Sequence, residues 1–190
     1  HSCDARASMA DMARAALARG IHEIAFTEHF DPKPQDPCAG FYNPERYFAE
    51  LEAARQEFEP QGMTLRAGVE VGEMHLYADE IQPVLDAWPY DYVLGSLHWV
   101  ADDSVFDKHY FQAHTAQETA EQYFTELLRL VQHGGFDVLS HADVIKRTCY
   151  DVYRRFDIAE WEDLVRPVWR ACVDNGIGIE INTAALRLPV

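Results

Sequence analysis

The chain has 190 residues, of which 48% are hydrophobic and 25% are charged, and its formal net charge at pH 7 is −16. This length suits one domain with a sizeable core, and the composition excludes a disordered or low-complexity chain. The acidic charge argues against a nucleic-acid partner, and no apolar stretch is long enough to span a membrane, so we expect a cytoplasmic protein that binds neither.

Short apolar runs alternate with amphipathic helical patterns, which predicts an α/β fold with parallel strands. The first helix begins at Ser8 and ends at Gly20, and a strand over residues 21–26 follows it. After a Pro-rich loop, Asn43 caps a second helix and Pro44 occupies its first position. Strands and helices are therefore expected to alternate along the chain.

The rest of the chain continues this alternation. Thr115 and Glu118 form a capping box for one helix, while residues 158–175 predict another, kinked or restarted near Pro167. Residues 76–85 form only a loose apolar segment. Parallel strands joined by helices allow an open doubly wound sheet or a barrel, and no glycine-rich phosphate loop supports the nucleotide-binding sheet. The later strands are predicted over residues 64–71, 91–98, 137–140 and 177–181.

The cysteines are scattered and form no C-x-x-C pair. This spacing is not that of a disulfide framework or of a structural zinc site. We therefore expect all of them to be reduced thiols. They are Cys3, Cys38, Cys149 and Cys172.

Metal-ligand side chains end successive predicted strands. These are His29, Glu70, His98 and His141, with Asn182 after the last strand. In a barrel the carboxyl ends of the strands converge on one face, and imidazole and carboxylate groups suit zinc, iron or manganese. A single histidine at a strand end is more often a hydrogen-bonded structural residue, so the prediction rests on the coincidence of all of them. The pattern predicts metal-dependent chemistry, and no G-x-S-x-G elbow favours a serine nucleophile.

Other polar residues do not share this pattern. Glu73 is expected to be a solvent-exposed loop residue, with support of a metal ligand as the alternative role. A further set of histidines is expected on the surface or on helices, namely His22, His75, His109, His114 and His133.

The sequence segments that contain these strand-end residues resemble motifs of the PHP (polymerase and histidinol phosphatase) domain family. Residues 27–29 (TEH) are similar to its T-[DE]-H motif, and residues 68–70 (GVE) to its G-[IVL]-E motif. Residues 91–98 (DYVLGSLH) resemble D-[YF]-[VI]-[IL]-G-S-[IVL]-H, and residues 140–143 (SHAD) resemble G/S-H-x-D. Residues 180–187 (EINTAALR) resemble an element typical of the histidinol-phosphatase branch. Each motif is weak singly, but their shared order over nearly the whole chain is specific.

The resemblance implies a distorted (β/α)7 barrel with two or three divalent transition-metal ions (zinc, manganese or iron) at the strand ends. It implies that Glu70 bridges two ions, that His98 and His141 bind one of them, and that these three residues carry catalysis. His29 would bind a separate third ion.

The same resemblance implies a phosphomonoesterase that converts L-histidinol phosphate to L-histidinol and phosphate in histidine biosynthesis. Arg187 would hold the substrate phosphate, with Arg147 or Lys146 as alternatives, because a planar guanidinium matches two phosphate oxygens. Two other functions stay open. One is hydrolysis of another small phosphorylated substrate, and the other is a catalytically incomplete metal-binding module.

Two ligand motifs of the family are not matched. In a gap-free alignment the first-strand H-x-H pair lies just before His1, which makes Asp4 a candidate ligand of the third ion. His1 would then lie beside the metal site, unless a short deletion makes it the second histidine of the pair. The final D-x-H motif is not found before Val190. Residues 1–190 are therefore expected to form a single PHP metallophosphoesterase domain truncated at both ends.

Overall fold

The structure, a computed structural model, describes residues 3–155 and 157–183. Contacts group the chain into two units. The N-terminal unit consists of His1–Gly72 with Tyr77–Leu94, and the C-terminal unit consists of Glu73–Leu76 with Gly95–Val190. The expectation of one domain over the whole chain stays a prediction.

Parallel strands and intervening helices build the N-terminal unit. Its elements are α1 (Met9–Leu17), β1 (Glu23–Phe30), α2 (Pro44–Phe58), a 3-10 helix (Glu59–Gln61), β2 (Thr64–Gly72), most of α3 (Met74–Ala87) and the first residues of β3 (Tyr92–Ser96). Strand β1 pairs in parallel with β2, from Glu23 opposite Thr64 to Phe30 opposite Val71. The predicted α/β fold with parallel strands is confirmed in this unit.

The first two helices begin where the sequence places their caps. The Ser8 side chain accepts a hydrogen bond from the backbone N–H of Asp11, and the Asn43 side chain accepts one from that of Arg46. Pro44 occupies the start of α2, where a missing N–H group leaves no helical bond unmade. These caps satisfy N–H groups that the helices themselves leave without a partner.

Tyr47 fixes β1 against β2. Its buried hydroxyl donates to the Phe26 carbonyl at 2.9 Å and accepts from the Gly68 N–H at 2.8 Å. A Cβ atom at position 68 would lie 2.7 Å from the Phe26 carbonyl oxygen, so glycine permits this close approach. The strand register is therefore set immediately before His29 and Glu70.

The cysteines differ in part from the expectation. A disulfide joins Cys3 to Cys38, with Cα atoms 5.5 Å apart, so the prediction of reduced thiols is wrong for this pair. Their separation of 35 residues carries no pairing signal, because the fold alone brings the two segments together. Cys149 and Cys172 are free, as expected, and both are buried. Burial raises the pKa of Cys149 to about 12 and that of Cys172 to about 11, so both stay protonated.

The C-terminal unit contains the remaining elements. They are the end of β3, a hairpin of β4 (Trp99–Val100) and β5 (Asp103–Ser104), α4 (Lys108–Ala113), α5 (Ala116–His133), β6 (Val138–Leu139), α6 (Lys146–Tyr153), a 3-10 helix (Ile158–Trp161), α7 (Glu162–Asn175) and β7 (Gly178–Ile179). Strand β6 pairs in parallel with β7. On its other side, the N–H of Ser140 donates to the Gly95 carbonyl of β3 at 2.9 Å. The predicted capping box of Thr115 and Glu118 is present at the start of α5.

Several helices depart from the prediction. The loose segment belongs to α3, which sequence periodicity missed because Tyr77 has non-helical dihedral angles (φ −123°, ψ 24°) and interrupts the helix. The expected restart near Pro167 is wrong, because α7 runs through this residue and begins after Trp161 (φ −115°, ψ 28°). The alternative, a kink near Pro167, stays a prediction. Helices α4 and α6 were not predicted. None of the helices described here is both long enough and apolar enough to cross a membrane.

Candidate functional site

The strands of the N-terminal unit bring one predicted ligand pair together. His29 on β1 lies directly opposite Glu70 on β2 in the parallel register. The His29 Nε2 atom is 3.9 Å from Glu70 Oε2 and 3.8 Å from Asp4 Oδ2. We call these residues, with Asp31, the His29 cluster. The structure thus places Asp4, His29 and Glu70 as neighbours, and their use as metal ligands stays a prediction.

Asp31 orients the His29 ring. Its Oδ2 atom lies 3.0 Å from Nδ1 of His29, and its side chain is only 1% exposed. Hydrogen bonding of Nδ1–H to a carboxylate fixes the imidazole tautomer and leaves the Nε2 lone pair available to a cation. Sequence reasoning missed Asp31, although its position two residues after His29 was a readable signal.

The donors of the His29 cluster fit a divalent metal ion. One imidazole nitrogen faces two carboxylate oxygens at distances that leave room for a cation between them. Mixed nitrogen and oxygen ligands of this kind suit zinc, manganese or iron. The cluster is therefore a candidate metal site built from residues of one unit.

The C-terminal unit holds a second candidate site, the pair His98 and His141. Their Nε2 atoms are 3.4 Å apart, and the two residues are 2% and 9% exposed. Two nitrogens bound tetrahedrally to one zinc ion at about 2.0–2.1 Å lie about 3.3–3.4 Å apart. The spacing of the histidine pair thus fits two ligands of a single ion.

Two glutamates hold the backbone of this histidine pair. Glu73 Oε1 accepts from the N–H of His98 at 2.6 Å, and Glu180 Oε2 accepts from the N–H of His141 at 2.7 Å. The expectation that Glu73 is solvent-exposed is wrong, because the residue is 0% exposed. Its carboxylate turns inward to backbone N–H groups, and no sequence pattern encodes such a contact. Sequence reasoning also missed the contact of Glu180.

The residues predicted to bind phosphate receive less support. Arg147 is partly buried in the first turn of α6, next to Lys146, and its role in phosphate binding stays a prediction. Arg187 and His1 lie outside the described residues.

The side chain of His75, which lies outside the predicted site, is largely shielded from solvent. His75 Nε2 is 2.7 Å from Glu126 Oε1, and the two side chains are only 6% and 13% exposed. Burial lowers the pKa of His75 below its ordinary value, and the carboxylate of Glu126 offsets part of this change. His75 lies on a helix, as expected, but within a buried pair that sequence reasoning missed.

Comparisons with known proteins identify relatives. The family model described as PHP domain matches residues 1–184. Histidinol-phosphatase from Lactococcus lactis subsp. lactis is 29% identical over 170 residues, which cover 88% of this chain and 62% of that protein. Histidinol-phosphatase from Bacillus subtilis is 26% identical over 199 residues, which cover 92% of this chain and 74% of that protein.

A solved structure shares the fold. The crystal structure of histidinol phosphate phosphatase from Lactococcus lactis, complexed with zinc, L-histidinol and phosphate, matches with a TM-score of 0.85 at 27% identity. The match covers 96% of this chain and 69% of that chain. The predicted fold class is thereby confirmed. The chain spans about 62% of the length of the first curated relative.

Proposed function

Because the chain belongs to the PHP domain family, we propose that it is a metal-dependent phosphomonoesterase that hydrolyses L-histidinol phosphate to L-histidinol and phosphate. The observation that carries the proposal is the buried histidine pair, whose Nε2 atoms have the spacing of two ligands on one ion. The relatives named histidinol-phosphatase, and the solved structure with zinc, L-histidinol and phosphate, support the choice of substrate.

The chain's own residues would bind the ions as follows. His98 and His141 would bind through Nε2, and His29 would bind through Nε2 while Asp31 holds its Nδ1–H. Glu70 would contribute a carboxylate, and its predicted bridging between the ion of the histidine pair and a second ion stays a prediction. Bound divalent ions supply a hydroxide nucleophile at neutral pH and positive charge around the phosphate.

Arg187 is the proposed phosphate ligand. A charge-assisted hydrogen bond is worth roughly 1.5–3 kcal/mol, so Arg187→Ala should lower kcat/KM about ten- to a hundredfold. Arg187→Lys should recover only part of this loss, because an ammonium keeps the charge but loses the planar fork. The metal content should stay unchanged. Parental kinetics in Arg187→Ala would instead make Arg147 the candidate.

Phosphate release tests the proposed function directly. Purified protein is supplied with Zn²⁺ or Mn²⁺ and assayed on L-histidinol phosphate and on a generic aryl phosphate. We expect hydrolysis of histidinol phosphate that a chelator abolishes and that His98→Ala loses. Exposed His109→Ala is the matched control and should keep it. Metal-dependent hydrolysis of the aryl phosphate alone would reject histidinol phosphate as substrate, and no hydrolysis of either would reject the phosphatase. A biosynthetic enzyme of this kind would act in the cytoplasm on a small phosphorylated substrate.

A further inference from the structure

Glu73 forms hydrogen bonds with the backbone of the turn that follows β3. Its Oε1 atom accepts from the N–H groups of His98 at 2.6 Å and Trp99 at 3.0 Å. Its own N–H donates to the Ser96 carbonyl at 3.0 Å. One fully buried residue therefore contacts the backbone at three nearby points of the segment that carries His98.

The backbone of Glu73 is strained. Its φ angle is 47°, in the left-handed region that side chains with a Cβ atom rarely adopt. Glycine adopts the same angle freely, so Glu73 depends on its contacts to stay in this conformation. Strained non-glycine residues persist where the surrounding contacts hold them, and they cluster at functional sites. The contacts of the Glu73 carboxylate with the His98 and Trp99 N–H groups are among those that hold it there.

Glu180 makes a matching contact at His141. Its N–H donates to the Leu139 carbonyl of β6 at 2.9 Å, which sets its position beside that strand. Its Oε2 atom then accepts from the N–H of His141 at 2.7 Å and from the Ser140 hydroxyl at 3.1 Å. The carboxylate therefore spans the point at which β6 ends and the chain turns.

Both contacts solve the same physical problem. A residue that leaves a strand end loses its ladder partner, and a buried backbone N–H must then be satisfied by another acceptor. A carboxylate provides a short, charge-assisted bond to such a group. Fixing the peptide of a histidine also fixes the direction of its Cα–Cβ bond, and hence where its imidazole points. The Nε2 atoms of His98 and His141 meet at 3.4 Å under these restraints.

We propose that Glu73 and Glu180 are positioning residues, which hold the backbone of His98 and His141 so that both imidazoles meet one metal ion. This inference rests on the proposed metal-dependent function. It assigns the two glutamates no contact with the ion or the substrate. Their effect is exerted through the two histidines.

The test compares three substitutions at each glutamate. Gln keeps an oxygen at the same reach but removes the charge, Asp keeps the charge but shortens the reach, and Ala removes both. Co²⁺ affinity and the visible spectrum of bound Co²⁺ are measured in a His29→Ala background, so that the signal reports the ion of the histidine pair. The matched control is Glu118→Ala, because Glu118 Oε2 accepts from the backbone N–H and the hydroxyl of Thr115, both at 2.8 Å, away from the histidines.

We expect Ala and Asp to weaken Co²⁺ binding about 10- to 100-fold, the range typical of partners that orient metal ligands. Gln should restore most of the affinity and the parental spectrum. Glu118→Ala should lower thermal stability without changing either. If an Ala variant fails to fold, the Asp and Gln pair still decides the question.

Parental Co²⁺ affinity and spectrum in the folded Asp variants would overturn the positioning role, and so would a Gln variant as weak as Asp. If the unsubstituted protein binds no Co²⁺, the proposed function itself fails, and the inference falls with it. The first two results leave the proposed function standing, so the two failures are distinguishable.

Discussion

The His29 cluster and the histidine pair hold their imidazoles in different ways. The Asp31 carboxylate hydrogen-bonds to Nδ1 of the His29 ring itself, and the His29 side chain remains 23% exposed. At His98 and His141, carboxylates instead accept hydrogen bonds from the backbone N–H groups, and both histidines are buried. A ring-held histidine has its tautomer fixed by its partner, whereas a backbone-held one has its direction fixed. Each mode of support predicts a different response to substitution.

The largest expected effect concerns Glu70, because its carboxylate is proposed to bind more than one ion. Glu70→Ala should lower kcat/KM by more than about 100-fold, the upper range for residues that only orient ligands. His29→Ala should be less damaging, because His29 is assigned to a separate ion. Steady-state kinetics at saturating metal provide the measurement, with Glu52→Ala on the exposed face of α2 as control. Comparable, mild losses in both variants would show that the assignment of Glu70 is wrong.

The candidate ligand residues could be predicted from the sequence, but the contacts that support them could not. His29, Glu70, His98 and His141 end strands whose apolar runs are legible in the sequence, and the family motifs fix their order. The strand ends themselves were less exact, since β1 continues to Phe30 and β6 covers only Val138–Leu139. Ladder pairing, which the apolar pattern does not encode, decides where a strand stops.

Whether a supporting contact can be predicted depends on how far apart its two residues lie in the sequence. Asp31 lies two residues from His29, so a local pattern was available. Glu73 and Glu180 are 25 and 39 residues from the histidines whose N–H groups they accept. A carboxylate that accepts from a backbone N–H has no partner side chain, so the sequence contains no complementary residue type that would reveal the contact. Such contacts follow from the tertiary fold alone.

The disulfide distinguishes the two regions in a further way. It closes a loop between Cys3 and Cys38 that includes Asp4, His29 and Asp31. A loop of this length corresponds to about 3–4 kcal/mol in the chain-entropy model, because the cross-link restricts the unfolded chain. Reduction should therefore lower the free energy of unfolding in denaturant by about that amount.

Cys3→Ser and Cys38→Ser provide the control for this prediction. Each variant should match the reduced parent and should not respond to a reductant. An unchanged free energy of unfolding after complete reduction of the parent would contradict the assigned contribution.

Substitution of Asp31 sharpens the contrast between ring and backbone support. Asp31→Ala should weaken metal binding at the His29 cluster about 10- to 100-fold, because the ring loses its orientation. Asp31→Asn should lose less, since its amide oxygen still accepts from Nδ1–H. Competition titration with a chromophoric chelator measures both affinities, and exposed Asp79→Ala is the control. Equal losses for Asn and Ala would mean that the charge of Asp31, rather than its hydrogen bond, supports His29.

His75 provides the smallest predicted effect and an internal control, because its ring is also held by a carboxylate but outside the candidate metal sites. Burial lowers the pKa of His75 below 6.5, so the unfolded state binds more protons between the folded-state pKa and that value. The free energy of unfolding should therefore rise with pH across this window. The contribution of neutral His75 to the free energy of unfolding is fully present above pH 6.5, and it is lost as the pH falls through the window.

One titrating group limits the slope to about 1.4 kcal/mol per pH unit. His75→Gln keeps a donor for Glu126 but does not titrate, so its stability should depend less steeply on pH than that of the parent. Denaturant unfolding at a series of pH values measures this difference, and exposed His109→Gln should leave the parental slope unchanged. If the His75→Gln variant kept the full slope, the pH dependence would arise from other groups. The buried pair of His75 and Glu126 would then be insufficient to couple protonation to folding in this protein.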